Sequence, residues 1–385
     1  MTQVMLEGHP APITIVTTVT TVDTKRAATD INYARSFSSS PAFVVYSDKF
    51  IEDVIGDDPL LLLVASRKGQ NDKFAHEAGV YIRRTNCVYF TSNYDTSDPR
   101  IDLYSISVDN WQIEKLTDKP GFDLVSQPNG GCNYEDKILY CAQGDIDRGS
   151  GAKSSALVLV DPVSGTAETL LDNFHGREFS SPNDVVVHHY TGDIWFTDPT
   201  YGYQQAFRPK PELPKQVYRF CPSTGQCWVV ADGFDMCNGL CFSPDYTKLY
   251  ITDTGAIQAH GDIGTGHNFS FCGTSPATIY VYDVIDGGTR LANRRLFAYC
   301  DNGVPDGIKC DSMGYVYSGC GDGLHVWDSR GNLVGKIVVW GTTANFCFTD
   351  EGIWMLAEED LWLCKLKAHG ALQGTTRNYV GTTGK

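Results

Sequence analysis

Asp193–Asp198, with the sequence DIWFTD, is a short aliphatic and aromatic run that recurs along the chain. A similar run, KLYITD, occupies Lys248–Asp253. Runs of this composition, bounded by turn residues, are typical of β-strands. With the aliphatic residue before the aromatic one taken as a marker, six copies lie 37 to 67 residues apart. The markers are Val88, Leu139, Ile194, Leu249, Val316 and Ile353.

The spacing of the six runs indicates the architecture. Repeats of roughly 40–50 residues, each with several short strands, are typical of the blades of a β-propeller. Turns rich in Asp, Gly, Ser or Asn, such as Ser243–Tyr246, precede the markers and suit antiparallel connections. The sequence therefore predicts an all-β chain folded as a six-bladed β-propeller with an N-terminal extension.

Domain boundaries follow from where the repeats begin and end. Residues 1–42 are predicted to form an extended arm, residues 43–370 the propeller, and residues 371–385 a C-terminal tail. A propeller has to close its ring, because an open sheet edge invites association. Two strand-like segments ahead of the first repeat, Phe43–Tyr46 and Leu60–Ala65, are the candidates for completing the last blade.

Composition and charge exclude several classes of partner. The 385 residues carry a formal net charge of −15, which repels phosphate backbones, so no nucleic-acid partner is expected. The longest apolar run, Leu60–Ala65, is far shorter than the roughly 20 residues of a membrane helix, so no membrane insertion is expected. The N-terminus lacks a signal-peptide pattern, which favours the cytoplasm, whereas the lone sequon Asn268–Ser270 keeps secretion open.

The chain has thirteen cysteines, so at least one is unpaired within the chain. Most, including Cys310 and Cys320, lie in strand-like runs, where small buried hydrophobic side chains are the default interpretation. Cys221 and Cys227 flank a turn-like segment and are a candidate pair. The chain contains no C-x-x-C motif, so a zinc ribbon has no support.

An acid or amide residue recurs eight to eleven residues before each marker. In a propeller these equivalent positions lie on the innermost strands at one height, so the side chains would converge on the axis. Oxygen donors without histidine suit Ca²⁺ better than zinc or copper. Asn-Gly and Asp-Gly pairs are also ordinary turn signals. Glu77, however, is not a typical turn residue, and an acid or amide at the equivalent position of all six repeats favours a ligand-binding site. The six residues are Glu77, Asn129, Asn183, Asn238, Asp306 and Asn345.

Several segments also carry a family resemblance. Phe74–Ala78, Ser180–Val185, Gly192–Gly202 and Val304–Gly307, in this order and spacing, resemble the gluconolactonase and senescence-marker (regucalcin-like) family. The similarity is closest to the fungal lactonohydrolases. The resemblance implies a six-bladed propeller that binds one catalytic divalent ion, usually Ca²⁺, although Mg²⁺, Mn²⁺ or Zn²⁺ is an alternative.

The resemblance implies roles for the polar residues and a small-molecule lactone as substrate. Asp306 is the candidate general base for opening a lactone ring, and direct attack by Asp306 is the alternative mechanism. Some members carry Arg where this chain has Ser181, which leaves the sugar-lactone specificity open. The implied metal ligands are Glu77, Asn183, Asn238 and Asp306. Asn129 and Asn345 are candidate substrate contacts. Tyr201, which follows the Asp198-Pro199 loop, is a third candidate, with ordinary loop packing as the alternative.

Two other functions fit the same scaffold. One is a non-hydrolytic metal-dependent enzyme of fungal secondary metabolism that catalyses cyclisation or isomerisation, because one fold supports several chemistries. The other is a binding platform without catalysis. The complete set of acid and amide residues argues against the second of these.

Overall fold

The N-terminal segment supplies strands to two different blades of the fold. The computed structural model describes residues 1–5, 13–94, 100–146, 151–262 and 266–371. Across these residues no helix has both the length and the apolar character to cross a membrane. The elements of the segment are strands β1 (Thr2–Val4), β2 (Ile13–Val16), β3 (Val19–Thr21), β4 (Ala42–Val45) and β5 (Leu60–Ser66), helices α1 (Thr24–Ala27) and α2 (Ile31–Arg35), a 3₁₀-helix at Ser36–Ser38 and a π-helix at Phe50–Ile55.

Blades 1 to 3 are four-stranded antiparallel sheets that follow one another in chain order, each with its innermost strand first. A short hairpin separates blades 2 and 3, and a short helix lies within blade 3. Blade 1 contains β6 (Glu77–Ile82), β7 (Cys87–Thr91), β8 (Leu103–Ser107) and β9 (Ile113–Lys115), and a 3₁₀-helix at Phe122–Leu124 follows it. Blade 2 contains β10 (Pro128–Tyr134), β11 (Lys137–Ala142), β12 (Ala156–Asp161) and β13 (Thr166–Leu171), and the hairpin after it is β14 (Asn173–Phe174) and β15 (Arg177–Glu178). Blade 3 contains β16 (Val185–Val187), β17 (Ile194–Asp198), α3 (Tyr201–Gln204), β18 (Gln216–Cys221) and β19 (Gln226–Ala231).

Blades 4 to 6 continue the pattern, and the last two are widened to six strands by the N-terminal segment. A hairpin is inserted in blade 4 between its second and third strands. Blade 4 contains β20 (Cys237–Phe242), β21 (Lys248–Asp253), the inserted hairpin β22 (Ile257–Asp262) and β23 (Gly266–Phe271), β24 (Thr278–Ile285) and β25 (Arg290–Tyr299). Blade 5 contains β26 (Ile308–Cys310), β27 (Val316–Cys320), β28 (Gly323–Trp327) and β29 (Leu333–Val338). Blade 6 contains β30 (Asn345–Thr349), β31 (Gly352–Ala357) and β32 (Asp360–Lys365).

The ring closes through β5, which pairs antiparallel with β32 as the fourth strand of blade 6. The prediction that a segment ahead of the first repeat completes the last blade is therefore confirmed for Leu60–Ser66. The other candidate segment forms β4, which pairs instead with β29 of blade 5. Beyond these strands, β2 pairs with β5 and β3 pairs with β4. The strands β1, β2 and β3, which lie in the segment 1–42 predicted to form an extended arm, thus extend the outer edges of two blades. Of the predicted tail 371–385, all but residue 371 is outside the described residues.

The hydrophobic core lies between the faces of neighbouring blades. All six marker residues lie in the second strands of the blades, and each is completely buried. Trp195 of blade 3, for example, packs in one cluster with Phe242 and Leu249 of blade 4. Burying a large apolar side chain contributes about 1.5–3 kcal/mol, so these interblade layers hold the ring rigid. The prediction of an all-β six-bladed propeller is confirmed.

The thirteen cysteines all fall within the described ranges, and all are free thiols. The candidate pair does not form, because the register places Cys221 opposite Gln226 and Cys227 opposite Phe220. Neighbouring residues of a strand face opposite sides of the sheet, so the two thiols point away from each other.

Candidate active site

The six repeated acid and amide residues lie at the N-terminal ends of the innermost strands. These strands contact one another around the axis in the order β6, β10, β16, β20, β26 and β30, and β30 contacts β6 again. Glu77 and Asn345 are the first residues of β6 and β30, whereas Asp306 lies two residues before β26. The equivalent positions therefore surround one end of the central tunnel. We call this set the axial cluster: Glu77, Asn129, Asn183, Asn238, Asp306 and Asn345.

Irregular pairing accompanies three members of the axial cluster. The register between the innermost and second strands shifts between Glu77 and Val80 in blade 1, and blades 2 and 4 have a similar shift at the same place. Ala78 and Gly79, which follow Glu77, have positive φ angles of 70° and 62°. A β-bulge turns the strand locally and re-aims a side chain. Because of the bulges, these side chains do not have to point to alternate faces of the sheet, as side chains of a regular strand do.

Glycines beside the axial asparagines allow close contact between neighbouring blades. A Cβ atom on Gly130 would lie 2.5 Å from the carbonyl oxygen of Asn183, and one on Gly239 would lie 2.5 Å from that of Asp306. The Gly130 N–H donates a hydrogen bond of 2.7 Å to the Asn183 carbonyl. The Asn-Gly pairs, for which ordinary turns are the alternative interpretation, therefore mark interblade contacts at the axis.

Hydrogen bonds connect several members of the axial cluster. The Asn345 amide Nδ2 donates to Glu77 Oε2 over 2.7 Å. The Glu77 and Asp306 carboxyl groups lie close enough to raise the pKa of Glu77, and the Asn238 side chain favours the ionised form of Asp306. Asn238 Nδ2 donates to the Tyr201 hydroxyl over 3.4 Å. The fold thus brings these five residues, each from a different one of five blades, into one group.

Asn129 and Asn183 are the remaining members of the axial cluster. Asn183 Nδ2 donates to Asn129 Oδ1 over 3.5 Å. Within the described part of the chain, Asn183 Oδ1, Asn238 Oδ1 and Asp306 Oδ1 are buried and have no hydrogen-bond partner. An unpaired buried acceptor costs about 1–3 kcal/mol. Three such oxygens at one end of the tunnel therefore indicate a cationic or hydrogen-bonding ligand.

The carboxyl groups of the axial cluster resist ionisation in the protein alone. Burial and the nearby Asp306 carboxylate raise the pKa of Glu77 well above its usual value. Burial also raises the pKa of Asp306 to about 7. Asp184, which follows the axial Asn183, has its pKa raised by burial to about 6, although Lys309 acts in the opposite direction. Carboxyl groups packed this closely share protons unless a cation neutralises them.

The donor set fits a hard divalent cation. Glu77 and Asp306 supply carboxylate oxygens, and Asn183 and Asn238 supply amide oxygens that have no other partner. Calcium takes roughly 6–8 oxygen ligands in flexible geometry, and Mg²⁺ also prefers oxygen. The axial cluster contains no nitrogen or sulfur ligand of the kind that Zn²⁺ prefers. The residues present therefore suit Ca²⁺ best among the divalent ions considered.

Sequence reasoning missed Glu358 and Asn93, two polar residues that lie with His76 beside the axial cluster. His76 Nδ1 lies 2.9 Å from Glu358 Oε1, and Asn93 Nδ2 donates to the same carboxylate over 3.0 Å. Burial would lower the pKa of His76, but the Glu358 carboxylate outweighs burial and the net shift is upward. A small cavity beside the axial cluster is lined by His76, Asn93, Glu77 and Asn129.

The position of Glu358 explains why no repeat predicted it. It lies between β31 and β32, and an isolated bridge to Ala75 brings it over blade 1. Thr254 is a second missed residue, and its hydroxyl is hydrogen-bonded to the Tyr201 hydroxyl. Its place directly after the ITD run of blade 4 was the signal that could have indicated it.

Comparison with known proteins identifies the family. Residues 77–259 and 265–355 match the family model described as "SMP-30/Gluconolactonase/LRE-like region". The chain is 30% identical over 312 residues to lactonohydrolase oryL of Aspergillus oryzae, which is 80% of this chain and 69% of that protein. It is 30% identical over 209 residues to the gluconolactonase of Zymomonas mobilis, which is 51% of this chain and 53% of that protein.

Solved structures support the same fold. The gluconolactonase XC5397 of Xanthomonas campestris superimposes with a TM-score of 0.65 and 24% identity, covering 85% of this chain and 95% of that one. The calcium-binding protein regucalcin of Agrobacterium tumefaciens gives a TM-score of 0.54 and 14% identity, covering 78% and 92%. Because the family model spans well over half of the chain, the protein belongs to the SMP-30/gluconolactonase/LRE-like family.

Proposed function

We propose that the protein is a calcium-dependent hydrolase that opens a lactone ring to a hydroxy acid. The observation that carries the proposal is the convergence of the unpaired buried oxygens of Asn183, Asn238 and Asp306 beside Glu77. The relatives named lactonohydrolase and gluconolactonase support a cyclic ester as the substrate class. The regucalcin structure, described as calcium-binding, supports the choice of ion.

The axial residues would hold the cation and the substrate together. Glu77, Asn183, Asn238 and Asp306 are the ligands in this proposal. Asn345, which the sequence suggests as a substrate contact, is assigned a positioning role instead, because it is fully buried and donates to Glu77. When bound, the ion would polarise the lactone carbonyl and favour ionisation of a water molecule.

Asp306 is the proposed general base. Its Oδ1 is buried and has no hydrogen-bond partner among the described residues, so it is available to accept a proton from water. The water oxygen then bonds to the carbonyl carbon, the ester C–O bond of the ring breaks, and the ring oxygen leaves as a hydroxyl after it gains a proton. Direct attack by an Asp306 oxygen on the carbonyl, followed by hydrolysis of the acyl intermediate, is the alternative route.

The open side of the axial cluster is the proposed substrate side. Asn129 is half-buried and lines the cavity next to Glu77. The Tyr201 hydroxyl lies against Asn238 and Thr254, so the ring of this tyrosine can wall the substrate on the other side. We therefore assign Asn129 and Tyr201 to substrate contact.

A lactone panel assayed with and without calcium tests the proposal. The protein treated with EGTA should lose ring opening of γ- and δ-lactones, and Ca²⁺ should restore it, as followed by acid release in a pH-stat. In water labelled with ¹⁸O the hydroxy acid should carry one solvent-derived oxygen. Activity that survives complete calcium removal would overturn the calcium requirement, and an unlabelled product would point to isomerisation instead of hydrolysis.

A further inference from the structure

A second group of metal-ligating side chains lies away from the axis, where blade 4 meets blade 5. Cys300 directly follows β25, Cys320 ends β27, and His325 lies in β28. All three are buried, and their sulfur and nitrogen ligand atoms lie within 4.8 Å of one another. We call this group the blade-junction cluster. It contains no residue of the axial cluster, so the proposed hydrolysis does not use it.

The spacing of the three side chains suits a tetrahedral metal site. Bonds of about 2.3 Å from zinc to sulfur and about 2.0 Å to nitrogen place neighbouring ligand atoms roughly 3.3–3.8 Å apart. Ligand atoms that already lie within 4.8 Å of one another need only small side-chain movements to reach this geometry. The Cys300 thiol donates to the Asn302 carbonyl over 3.0 Å, and a metal would replace that thiol proton.

His325 has the orientation that a metal ligand needs. Its Nε2 lies 2.6 Å from Asp322 Oδ1, whereas its Nδ1 is buried and forms no hydrogen bond with any described residue. Metal-bound histidines commonly donate the other ring N–H to a carboxylate, which fixes the tautomer. The Asp322 contact therefore leaves the Nδ1 lone pair available to a cation. Asp301 Oδ1, which is 3.4 Å from Nδ1, or a water molecule could take the fourth position.

Charges around the blade-junction cluster are balanced by Lys336. Its Nζ lies 2.7 and 2.8 Å from the two Asp301 oxygens and 3.6 Å from Asp322 Oδ2. A zinc ion with two thiolates and a neutral imidazole carries no net charge. The metal can therefore enter without leaving Lys336 or the buried Asp322 without a counter-charge, which would be costly.

We propose that Cys300, Cys320 and His325 bind a structural zinc ion. The ligands come from the end of blade 4 and from two strands of blade 5, so the ion would cross-link the two blades. Sulfur and nitrogen donors select a soft or borderline cation such as Zn²⁺ and disfavour Ca²⁺. The proposal stands independently of lactone hydrolysis, because metal content is measured without any substrate.

The metal content of the full-length protein tests this site. Protein purified without added metal should contain about one zinc per chain by plasma mass spectrometry. C300S, C320S and H325A should each lower that content at least about tenfold. D322N, which keeps all three ligands, should weaken zinc affinity by about 10–100-fold. The matched control is C310S, which alters another buried thiol pair, Cys241 and Cys310, with sulfur atoms 3.6 Å apart; it should keep its zinc.

Cobalt provides a spectroscopic test that does not require the three ligand variants to fold. Wild-type protein loaded with Co²⁺ should show thiolate-to-cobalt charge-transfer absorption in the near ultraviolet, and C310S should retain it. A reduced wild-type protein with neither zinc nor this absorption would overturn the proposal, as would a Cys300–Cys320 disulfide found by mass spectrometry. Zinc that is lost in an Asp306 variant but kept in C300S would place the metal on the axis instead.

Discussion

The axial cluster and the blade-junction cluster are built from opposite chemistry in one propeller. The first offers only carboxylate and amide oxygens, and its members come from six blades spread over residues 77–345. The second offers two thiols and an imidazole from within 26 consecutive residues, Cys300–His325. Oxygen ligands favour calcium and sulfur ligands favour zinc. A single chain can therefore separate two metals by placing their ligands at different distances from the axis.

The two clusters should also have different roles, because their surroundings differ. The axial cluster includes buried acceptors without partners, and a cavity opens beside it, so its ion would meet substrate. The blade-junction cluster is enclosed by Asp322 and Lys336, so its ion would be held by the protein. Changes on the axis should therefore affect catalysis, whereas changes at the junction should affect metal retention and stability.

Asp306→Asn should produce the largest effect, and it tests most directly whether catalysis depends on the axial cluster and not on the blade-junction cluster. Loss of the proposed general base should lower kcat for lactone opening by about 10²–10⁴-fold, because proton transfer by a positioned group contributes that much. Zinc content should stay unchanged, as measured on the same preparation. The matched acid-to-amide control is Asp286→Asn, at an exposed turn, which should keep full activity. Equal losses in both variants would contradict the assignment.

Asn345→Ala should have the next largest effect, through cation binding. Without the amide that donates to Glu77 Oε2, this carboxylate loses its orientation and part of its stabilisation as an anion. We expect calcium affinity to fall by about 10–100-fold, as for other residues that orient a metal ligand. Isothermal titration with Ca²⁺ measures the change, and saturating Ca²⁺ should recover most of the kcat. A lowered kcat that calcium cannot restore would mean that Asn345 acts on substrate instead.

The pH should change calcium binding by about tenfold per unit below neutrality for each ligand carboxylate that has to lose its proton. In the cation-free protein burial raises the pKa of Asp306 from 3.8 to about 7. A raised pKa in the folded state means that stability is present at low pH and is lost as the pH rises from about 4 to 7. Thermal unfolding at pH 5 to 8 should therefore show a calcium-dependent rise in Tm that grows with pH. A rise that is independent of pH would argue against these carboxylates as ligands.

Tyr201→Phe should have the smallest effect of the four. It removes a hydroxyl that bridges Asn238 and Thr254, and one such hydrogen bond contributes about 0.5–1.5 kcal/mol. We expect a change of roughly threefold to tenfold, mainly in KM for the lactone, with calcium affinity nearly unchanged. Steady-state kinetics at saturating calcium separates the two parameters. A large loss of calcium affinity would show that Tyr201 supports the ligand set and not the substrate.

Much of the fold could be predicted because the same aliphatic and aromatic run recurs in the buried second strand of every blade. All six markers are completely buried second-strand residues, and the closing strand was among two proposed segments. The position of the N-terminal strands was not predictable in the same way. β3 pairs in parallel with β4, and such an edge contact depends on how the chain wraps the finished ring.

The axial residues could be predicted because a repeating fold carries equivalent positions to the same place. Glu358 belongs to no repeat, so only the folded chain shows it beside His76. Thr254 directly follows the repeated run of blade 4, but only the folded chain shows its contact with Tyr201. The blade-junction cluster escaped prediction for a related reason. Cys320 has the features of a small hydrophobic strand residue, and its partners become evident only when blade 4 packs against blade 5.

The pairing of Leu60–Ser66 with Asp360–Lys365 has a consequence for biosynthesis. The first of these strands emerges from the ribosome about 300 residues before its partner exists. During that interval its run of leucines is an open β-edge, the kind of surface that chaperones and aggregates capture. We therefore expect translation speed and chaperone supply to govern the yield of soluble protein, and ring completion to be the last and slowest event of maturation.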